Sequence, residues 1–212
     1  MTSGKERFEA YLQSRCPNWQ DALQRFEEYF SMLQTANRNV NLVSRNLPGD
    51  RFWVQHFLDS LLVLECLDLS CKTVLDFGSG GGLPGIPLKL VVPDCSLILL
   101  DSVRKKTRIL EEIVHELGLS GVEVQNSRVE DYAFLTVRPS FDYILCRAVA
   151  LETRYIPPLR RLLKPGGMAV FYKAQKLDDL ERLNYELLWE KIDSDLGLRR
   201  FIGISHKNLI QR

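Results

Sequence analysis

The sequence has no excess of charge of either sign. Its 212 residues include 28 Lys and Arg against 27 Asp and Glu, which leaves a formal net charge of +1. A protein whose whole surface attracts nucleic acid or an anionic membrane would carry a large positive charge. Any surface that binds such a partner must therefore be a local cluster of basic residues.

Cysteine and histidine are scarce. The chain has five cysteines and three histidines, and no two cysteines have the Cys-x-x-Cys spacing. A disulfide scaffold is not expected in a chain of this length and apolar content, and neither is a zinc site. We expect free, buried thiols in a reducing compartment and no bound metal.

Long apolar runs are missing as well. A membrane-spanning helix needs about 20 consecutive apolar residues, and no stretch of this chain approaches that length. Residues 1–15 are polar and charged where a secretory signal would have an apolar centre. We therefore expect a cytoplasmic protein that makes no membrane contact.

Apolar residues, 45% of the chain, are arranged in two different patterns. Between residues 18 and 37, large apolar residues recur at three- and four-residue steps, which predicts an amphipathic helix. An asparagine-rich loop follows at 37–44, and a further helix is predicted to begin after Asp50. We predict that residues 1–70 form an N-terminal helical extension packed on the rest of the chain.

From residue 73, short β-branched and apolar runs alternate with helical stretches. This alternation is typical of a mostly parallel sheet with helices on both faces. The predicted strands are 73–77, 96–101, 122–126, 141–146 and 167–172, with a candidate last strand at 199–204. The predicted helices are 85–92, 103–118, 152–163 and 176–190. We predict that residues 71–212 form one compact α/β domain.

A glycine-rich loop follows the first predicted strand. Asp76 lies near the end of that strand, and the run from Gly78 to Gly85 contains Gly80 and leads into a helix. Glycines adopt positive φ and let backbone N–H groups approach a ligand, and the helix N-terminus adds a partial positive charge. We interpret the loop as a cofactor site; the alternative is a tight turn without a ligand.

The spacing of the glycines narrows the choice of ligand. A dinucleotide fingerprint needs its third glycine where this chain has Leu83, and no Gly-Lys-Ser or Gly-Lys-Thr of a Walker loop follows. An acidic residue before Gly-x-Gly-x-Gly is typical of methyltransferases that use S-adenosylmethionine. Asp101, at the end of the second strand, is our candidate ligand for the ribose hydroxyls; its alternative role is to cap the next helix.

The third predicted strand ends just before Val129, Glu130 and Asp131. The carboxyl ends of neighbouring parallel strands lie at the same edge of a sheet. We therefore expect the backbone of Val129 and the carboxylate of Glu130 or Asp131 to contact the adenine. The alternative is that these acids only start a short helix.

Six segments of the chain, in order, are similar to motifs of one family. They are Asn39-Val40-Asn41-Leu42-Val43-Ser44, His56-Phe57-Leu58-Asp59-Ser60, the run from Gly78 to Leu88, Leu99-Leu100-Asp101-Ser102, Ser127-Arg128-Val129-Glu130-Asp131 and Cys146-Arg147-Ala148-Val149-Ala150. They resemble the RsmG (GidB) family, bacterial 16S ribosomal RNA guanine-N7 methyltransferases. The chain departs from the family pattern at Cys146, where serine is usual, and in the tail after Lys173.

The resemblance implies a class I methyltransferase fold, which is Rossmann-like, with S-adenosylmethionine as methyl donor and S-adenosylhomocysteine as product. It implies that Gly78, Leu83, Val129, Glu130 and Arg147 contact the cofactor or border its site. It also implies methylation of guanine N7 in small-subunit ribosomal RNA, free or in a partly assembled 30S particle, by a protein that we expect to be monomeric. The alternatives are a small-molecule methyltransferase and a non-catalytic binding scaffold.

Arg147 directly follows the fourth predicted strand and is our candidate catalytic residue. Guanine N7 carries no proton at neutral pH, so the reaction needs a group that positions the substrate and no general base. The alternative for Arg147 is a salt bridge with Asp142, Glu130 or Asp76. For His56, between apolar neighbours, a structural role is favoured.

Local clusters of basic residues are the candidates for RNA contact. Lys173 ends a predicted strand, and Arg104 and Lys105 start a predicted helix. Phosphate contacts by such residues would supply sequence-independent affinity. The alternative is that these charges only form a solvated helix face.

Overall fold

The computed structural model describes residues 3–44 and 49–210. At its centre is a seven-stranded sheet in the order β3-β2-β1-β4-β5-β7-β6. The strands are β1 Thr73–Phe77, β2 Ser96–Asp101, β3 Val122–Asn126, β4 Phe141–Arg147, β5 Leu163–Lys173, β6 Glu186–Asp193 and β7 Gly197–Ser205. Strands β1 to β5 are parallel, and β7 is antiparallel to both of its neighbours.

Helices surround this sheet and extend from it at the N-terminal side. They are α1 Gly4–Arg15, α2 Trp19–Asn37, α3 Gly49–Phe52, α4 Asp59–Leu61, α5 Gly85–Val91, α6 Arg104–Glu116, α7 Val129–Leu135 and α8 Ile156–Leu162. A π-helical turn, Trp53–Leu58, joins α3 to α4, and a 3-10 turn, Leu62–Glu65, follows. Residues 49–65 thus form one helical segment, called here the third helical segment.

The predicted α/β architecture is confirmed. Strands β1, β2 and β3 have the predicted bounds, β4 is one residue longer, and the candidate last strand is β7. Strand β5 begins earlier than predicted, because Leu163 already pairs with Phe141 before an irregularity in the register. The asparagine-rich loop is ordered by the side chain of Asn37, whose Oδ1 accepts hydrogen bonds from the backbone of Leu42 and Val43.

The helix predicted at 176–190 is wrong. The chain makes turns at 178–182 and then forms β6. Trp189 of β6 instead stacks on Phe201 of β7, with 5.2 Å between ring centroids. The antiparallel pairing and this cross-strand contact outweigh a helix propensity of a few tenths of a kcal/mol per residue.

Helix α1 was missed because its apolar signal is short. Only Phe8 and Leu12 are buried in it. Its start is fixed by a capping box: the Ser3 hydroxyl accepts from the backbone N–H of Glu6, and the Glu6 carboxylate accepts from the backbone N–H of Ser3. The Ser-x-x-Glu pattern was the available sequence signal.

Both faces of the sheet are buried, and the helical extension covers one of them. Val74 and Leu97 contribute to a core shared with α1, α2, the third helical segment, α5 and α6. Leu75 and Ile144 point the other way, into a core with α7 and α8. Phe57 of the third helical segment packs against the rings of α1 and α2, so the extension and the sheet share one continuous core.

The cysteines are all free, but not all are buried. Cys95 and Cys146 are buried, Cys16 and Cys66 are half-buried, and Cys71 is exposed. The expectation of buried thiols is therefore wrong for three of them, because each of the three lies in a turn or at the end of a helix. Within the described residues, no helix is long and apolar enough to cross a membrane, and no cluster of His, Cys, Asp or Glu could hold a metal ion.

Candidate active site

The order of the parallel strands reverses between β1 and β4. Connections from these two strands leave in opposite directions, which opens a crevice at their carboxyl ends. The glycine loop follows β1, and Arg147 is the last residue of β4. The topology thus brings the predicted cofactor loop and the predicted catalytic residue to the same edge of the sheet.

The glycine loop is pinned to the end of β2. Gly78 and Gly80 have φ values of +77° and +57°, a region that favours glycine. The backbone N–H groups of Gly78 and Ser79 both donate to the carbonyl oxygen of Leu100, at 2.9 and 3.1 Å. The loop therefore has a fixed shape whose backbone curves around the crevice.

Asp101 holds the next turn of this loop. Its Oδ2 accepts the N–H of Gly80 at 2.9 Å, and its Oδ1 accepts the N–H of Val103 at 2.8 Å. No side-chain hydrogen bond caps α6, so the alternative helix-capping role is not observed for Asp101. Each carboxylate oxygen can accept a further hydrogen bond, which leaves capacity for a ribose hydroxyl.

Two adjoining clefts lie along this edge. The strand-end cleft, about 400 Å³, is lined by Gly78, Asp101, Val129 and Glu130 among others. The exposed Asp131 is not part of its lining. A wall of the strand-end cleft is closed by Tyr155 and by Arg154, whose Nε lies 3.8 Å from a Glu130 carboxylate oxygen.

The second cleft, called the helix-side cleft, has a volume of about 390 Å³. Gly80 and Leu83 line it from the glycine loop, Arg147 from β4 and His56 from the third helical segment. Gly78 and Lys106 line both clefts, so the two form one groove. A larger cleft of about 630 Å³ lies at the other end of the sheet, and no predicted site residue lines it.

Arg147 is held by the third helical segment. Its Nε donates to Asp59 Oδ2 at 3.0 Å, and its Nη2 donates to the carbonyl oxygen of Gln55 at 2.7 Å and lies 3.1 Å from His56 Nδ1. The salt bridge that was considered as an alternative therefore exists, but with Asp59. Burial and the nearby Arg147 charge lower the pKa of His56 to about 4, so His56 is neutral at pH 7 and accepts from Arg147.

The residues beneath the loop are buried and polar. Asp76 is fully buried, and its Oδ2 accepts the N–H of Gly85 at 2.8 Å. Burial raises the pKa of Asp76 to about 7. From α2, the buried hydroxyl of Tyr29 donates to the carbonyl oxygen of Gly81 at 2.5 Å. The helical extension thereby supports the glycine loop from below.

Residues 22–195 match the sequence profile of GidB, described as rRNA small subunit methyltransferase G. That segment is most of the chain. This chain belongs to the GidB family.

GidB relatives of similar sequence carry the name "Ribosomal RNA small subunit methyltransferase G". The protein of Carboxydothermus hydrogenoformans is 40% identical over 162 residues, which cover 75% of this chain and 68% of that protein. The protein of Desulforamulus reducens is 39% identical, over 73% of this chain and 65% of that protein. The chain thus spans about two thirds of the length of these two relatives.

Solved structures show the fold of the GidB chain to be that of S-adenosylmethionine-dependent methyltransferases. A SAM dependent methyltransferase from Aquifex aeolicus superposes with a TM-score of 0.56 at 18% identity, over 72% of this chain and 93% of that chain. A variant of MtNAS in complex with S-adenosylmethionine superposes with a TM-score of 0.58 at 16% identity, over 89% and 78% of the two chains.

The strand-end cleft of this GidB protein fits S-adenosylmethionine. A Cβ atom on Gly78 would lie 2.7 Å from Val149 Cγ2, so the loop admits only glycine there. Asp101 presents a carboxylate that suits a ribose diol, and the cleft volume lies in the range of roughly 300–1,000 Å³ that is usual for small-molecule sites.

The basic residues predicted to contact RNA lie in different surroundings. Arg104 and Lys105 are exposed in the first turn of α6 and line neither cleft, whereas their neighbour Lys106 lines both. Lys173 Nζ donates to Asp179 Oδ2 at 2.5 Å, and its side chain is 12% exposed. A phosphate contact by Lys173 stays a prediction, and it would require this ion pair to open.

Three residues of the site were missed in the sequence. Tyr29 lies on the apolar stripe of α2, and a tyrosine on a buried stripe needs a hydrogen-bond partner, so this signal was available. Lys106 directly follows Arg104 and Lys105, and nothing in the sequence distinguishes it from them. Asp59 was noticed within a motif, but its partner Arg147 is 88 residues away, and no pattern in the sequence indicates that pairing.

Proposed function

We propose that this chain transfers the methyl group of S-adenosylmethionine to N7 of a guanine in small-subunit (16S) ribosomal RNA. The observation that carries the proposal is the continuous groove at the switch point: Gly78 lines both halves, Asp101 lines the strand-end half, and the rest of the glycine loop and Arg147 line the helix-side half. Membership of the GidB family supports the choice of ribosomal RNA as substrate.

The strand-end cleft is the proposed cofactor site. Gly78 lines this cleft, Gly80 and Leu83 extend the site along the loop into the adjoining helix-side cleft, and Asp101 accepts the ribose hydroxyls. The adenine lies beside the Val129 backbone and Glu130, at the start of the helix that follows β3. When bound, S-adenosylmethionine supplies a methyl group on a positively charged sulfur. Arg147 borders this site and faces the acceptor.

Arg147 is the proposed catalytic residue, and its role is to position the acceptor guanine. Guanine N7 is already a free lone pair, so no residue has to remove a proton, and His56 is neutral at pH 7 because its pKa is about 4. The guanidinium of Arg147 can donate to guanine O6 or to a phosphate while N7 stays free. Holding the reacting atoms in line can lower the barrier by roughly 7–11 kcal/mol at best.

Basic residues at the rim would attract the RNA backbone. Lys106 lines both clefts, and its ammonium makes no hydrogen bond or ion pair to the residues that the structure describes. Arg104 and Lys105 lie two residues and one residue before it and are exposed to solvent. We propose that these cations contact phosphates, with Lys173 as a further candidate.

The setting of the reaction is part of the proposal. We propose that residues 1–70 are the helical extension and residues 71–212 the S-adenosylmethionine-binding domain. We further propose that the protein is a cytoplasmic monomer and acts on small-subunit RNA, alone or in a partly assembled 30S particle.

The test is transfer of labelled methyl from S-adenosylmethionine to unmodified small-subunit RNA and particles, followed by nucleoside analysis. We expect the label in 7-methylguanosine. Label in another nucleoside would contradict the N7 assignment. Absence of label from RNA in every assembly state, with S-adenosylhomocysteine still bound by the protein, would favour a small-molecule methyltransferase or a binding scaffold.

A further inference from the structure

Three neighbouring strands reach the same short stretch of the helical extension. Arg147 ends β4, Tyr172 pairs with it in the register of β5, and Arg199 lies near the start of β7. The hydroxyl of Tyr172 donates to the carbonyl oxygen of Ser60 at 3.1 Å. Because β7 is antiparallel, its first residues lie at the carboxyl edge of the parallel strands, beside the candidate active site.

Asp59 is shared by two arginines at this place. Its Oδ2 accepts Nε of Arg147 at 3.0 Å, and its Oδ1 accepts Nε of Arg199 at 2.7 Å. The Asp59 side chain is 8% exposed, against 14% for Arg147 and 25% for Arg199. A buried carboxylate with a cation on each oxygen is well compensated and keeps one partner when a single cation is removed, whereas loss of both would be strongly destabilising.

The charges of this triad do not cancel. One carboxylate faces two guanidinium groups, so Asp59, Arg147 and Arg199 together carry one net positive charge. Of the three, only Arg147 lines the helix-side cleft. Without Arg199, Asp59 would pair with Arg147 alone, and its negative charge would cancel the positive charge of Arg147. The positive charge presented to the cleft therefore depends on a residue outside it.

We propose that Asp59 and Arg199 are positioning residues of the acceptor site. Asp59 fixes the guanidinium of Arg147 against the third helical segment. Arg199 holds the second oxygen of Asp59 and keeps a net positive charge at the wall that receives the electron-rich O6 edge or a phosphate of the substrate nucleotide. This inference rests on the proposed function, and it gives the antiparallel strand β7 a role in substrate binding.

The test compares two neighbouring arginines of β7. Arg199→Gln removes the contact to Asp59, and Arg200→Gln is the matched control, because Arg200 points to the other side of the sheet and pairs with Glu190. Arg199→Lys is the conservative variant that restores the charge. Asp59→Asn is avoided as the main variant, since it leaves two guanidinium groups without their anion and risks unfolding.

We expect Arg199→Gln to raise the apparent KM for small-subunit particles about tenfold, as for loss of one charge-assisted interaction, with less change in kcat. Affinity for S-adenosylhomocysteine, measured by calorimetry, should stay unchanged. Arg199→Lys should recover most of the KM, and Arg200→Gln should match the unmodified protein. A merely structural role would instead lower the melting temperature and kcat with no selective effect on KM.

A second readout does not depend on turnover. In ¹⁵N-labelled protein, the Nε–H signal of Arg147 should shift and exchange faster with water in Arg199→Gln, and should be unchanged in Arg200→Gln. Equal KM values for Arg199→Gln and Arg200→Gln would overturn the inference. So would an Arg147 Nε–H signal that is the same in Arg199→Gln as in the unmodified protein. If the unmodified protein methylates no RNA, the proposed function fails, and the Arg147 signal alone decides whether Arg199 positions it.

Discussion

The two walls of the groove are built in different ways. The strand-end wall uses the backbone of the glycine loop at Gly78 and the carboxylates of Asp101, at the end of β2, and of Glu130, in the first turn of α7. The helix-side wall uses side-chain charges, Arg147 and Asp59, that meet across 88 residues of sequence. The first arrangement suits a small cofactor of fixed shape, and the second suits a polyanionic acceptor that approaches from solvent.

This difference indicates that mutations can affect cofactor binding at one wall and acceptor binding at the other independently. Changes in the glycine loop should remove cofactor binding, and with it all activity. Changes around Arg147 should spare cofactor binding and affect the acceptor. Asp76 and Tyr29 lie beneath the loop, between the walls, and should have smaller effects. The predictions below test this separation.

The largest effect is expected for Gly80→Asp. A carboxylate placed in the loop without a partner costs roughly 3–5 kcal/mol, so affinity for S-adenosylhomocysteine should fall by about a thousandfold. Gly118→Asp is the matched control, because Gly118 has nearly the same φ, +56° against +57°, and open space around it. Calorimetry that finds equal losses in both variants would attribute the effect to backbone strain and contradict the placement of the cofactor.

Arg147→Met should act on the other wall. Loss of a donor that orients the acceptor typically lowers kcat by roughly 100-fold or more. The affinity for S-adenosylhomocysteine should change little, and the fold should persist because Asp59 keeps its contact with Arg199. Single-turnover methylation measures the rate of methyl transfer, and calorimetry measures the affinity for S-adenosylhomocysteine. Arg138→Met, an exposed arginine at the other end of the sheet, serves as control, and a matching fall in its activity would contradict this assignment.

The buried carboxyl of Asp76, beneath the loop, should make the free energy of unfolding depend on pH. The pKa of Asp76 is raised from 3.8 to about 7 by burial, opposed in part by Arg147. Its contribution to the free energy of unfolding is therefore complete below about pH 4 and is lost as the pH rises to about 7. Between about pH 5.5 and 7.5, Asp76→Asn should gain roughly 2 kcal/mol relative to the unmodified protein.

Urea unfolding of both proteins at the two pH values measures this difference. His56 is present in both proteins, so its own titration largely cancels in the comparison. A difference between the two proteins that does not vary with pH would show that the pKa of Asp76 is not raised in the fold.

Tyr29→Phe should have the smallest effect of this series. It removes the hydroxyl that donates to the Gly81 carbonyl, a neutral hydrogen bond worth about 1 kcal/mol. We expect a decrease of about fivefold in affinity for S-adenosylhomocysteine, with an unchanged KM for RNA. The comparable variant Tyr11→Phe, whose hydroxyl contacts Leu61 and Glu65 far from the loop, should leave the cofactor affinity unchanged. A raised KM for RNA in Tyr29→Phe would mean that the cofactor wall and the acceptor wall do not act independently.

The strand-end wall could be predicted from the sequence because its information is local. Strands β1 and β2 end in Phe77 and Asp101, which line the strand-end cleft, and the glycines after β1 indicate a turn. Asp101 could be placed at the sheet edge, although its hydrogen bonds to Gly80 and Val103 could not. Local sequence also placed Arg147 correctly at the end of β4.

The helix-side wall and the C-terminal hairpin could not be predicted in the same way. The contact of Arg199 with Asp59 joins residues 140 positions apart, and only the folded topology brings them together. The false helix at 176–190 has the same origin, because β6 exists only by pairing with β7. Both features depend on tertiary contacts that leave no periodic signal along the chain.

The most direct test of this account is a structure of the protein with S-adenosylhomocysteine bound. We expect the ribose hydroxyls at the carboxylate of Asp101, the adenine beside Val129 and Glu130, and the sulfur directed toward the helix-side cleft that Arg147 lines. A ligand bound elsewhere, or bound with its sulfur facing away from Arg147, would contradict the division of the groove into a cofactor wall and an acceptor wall.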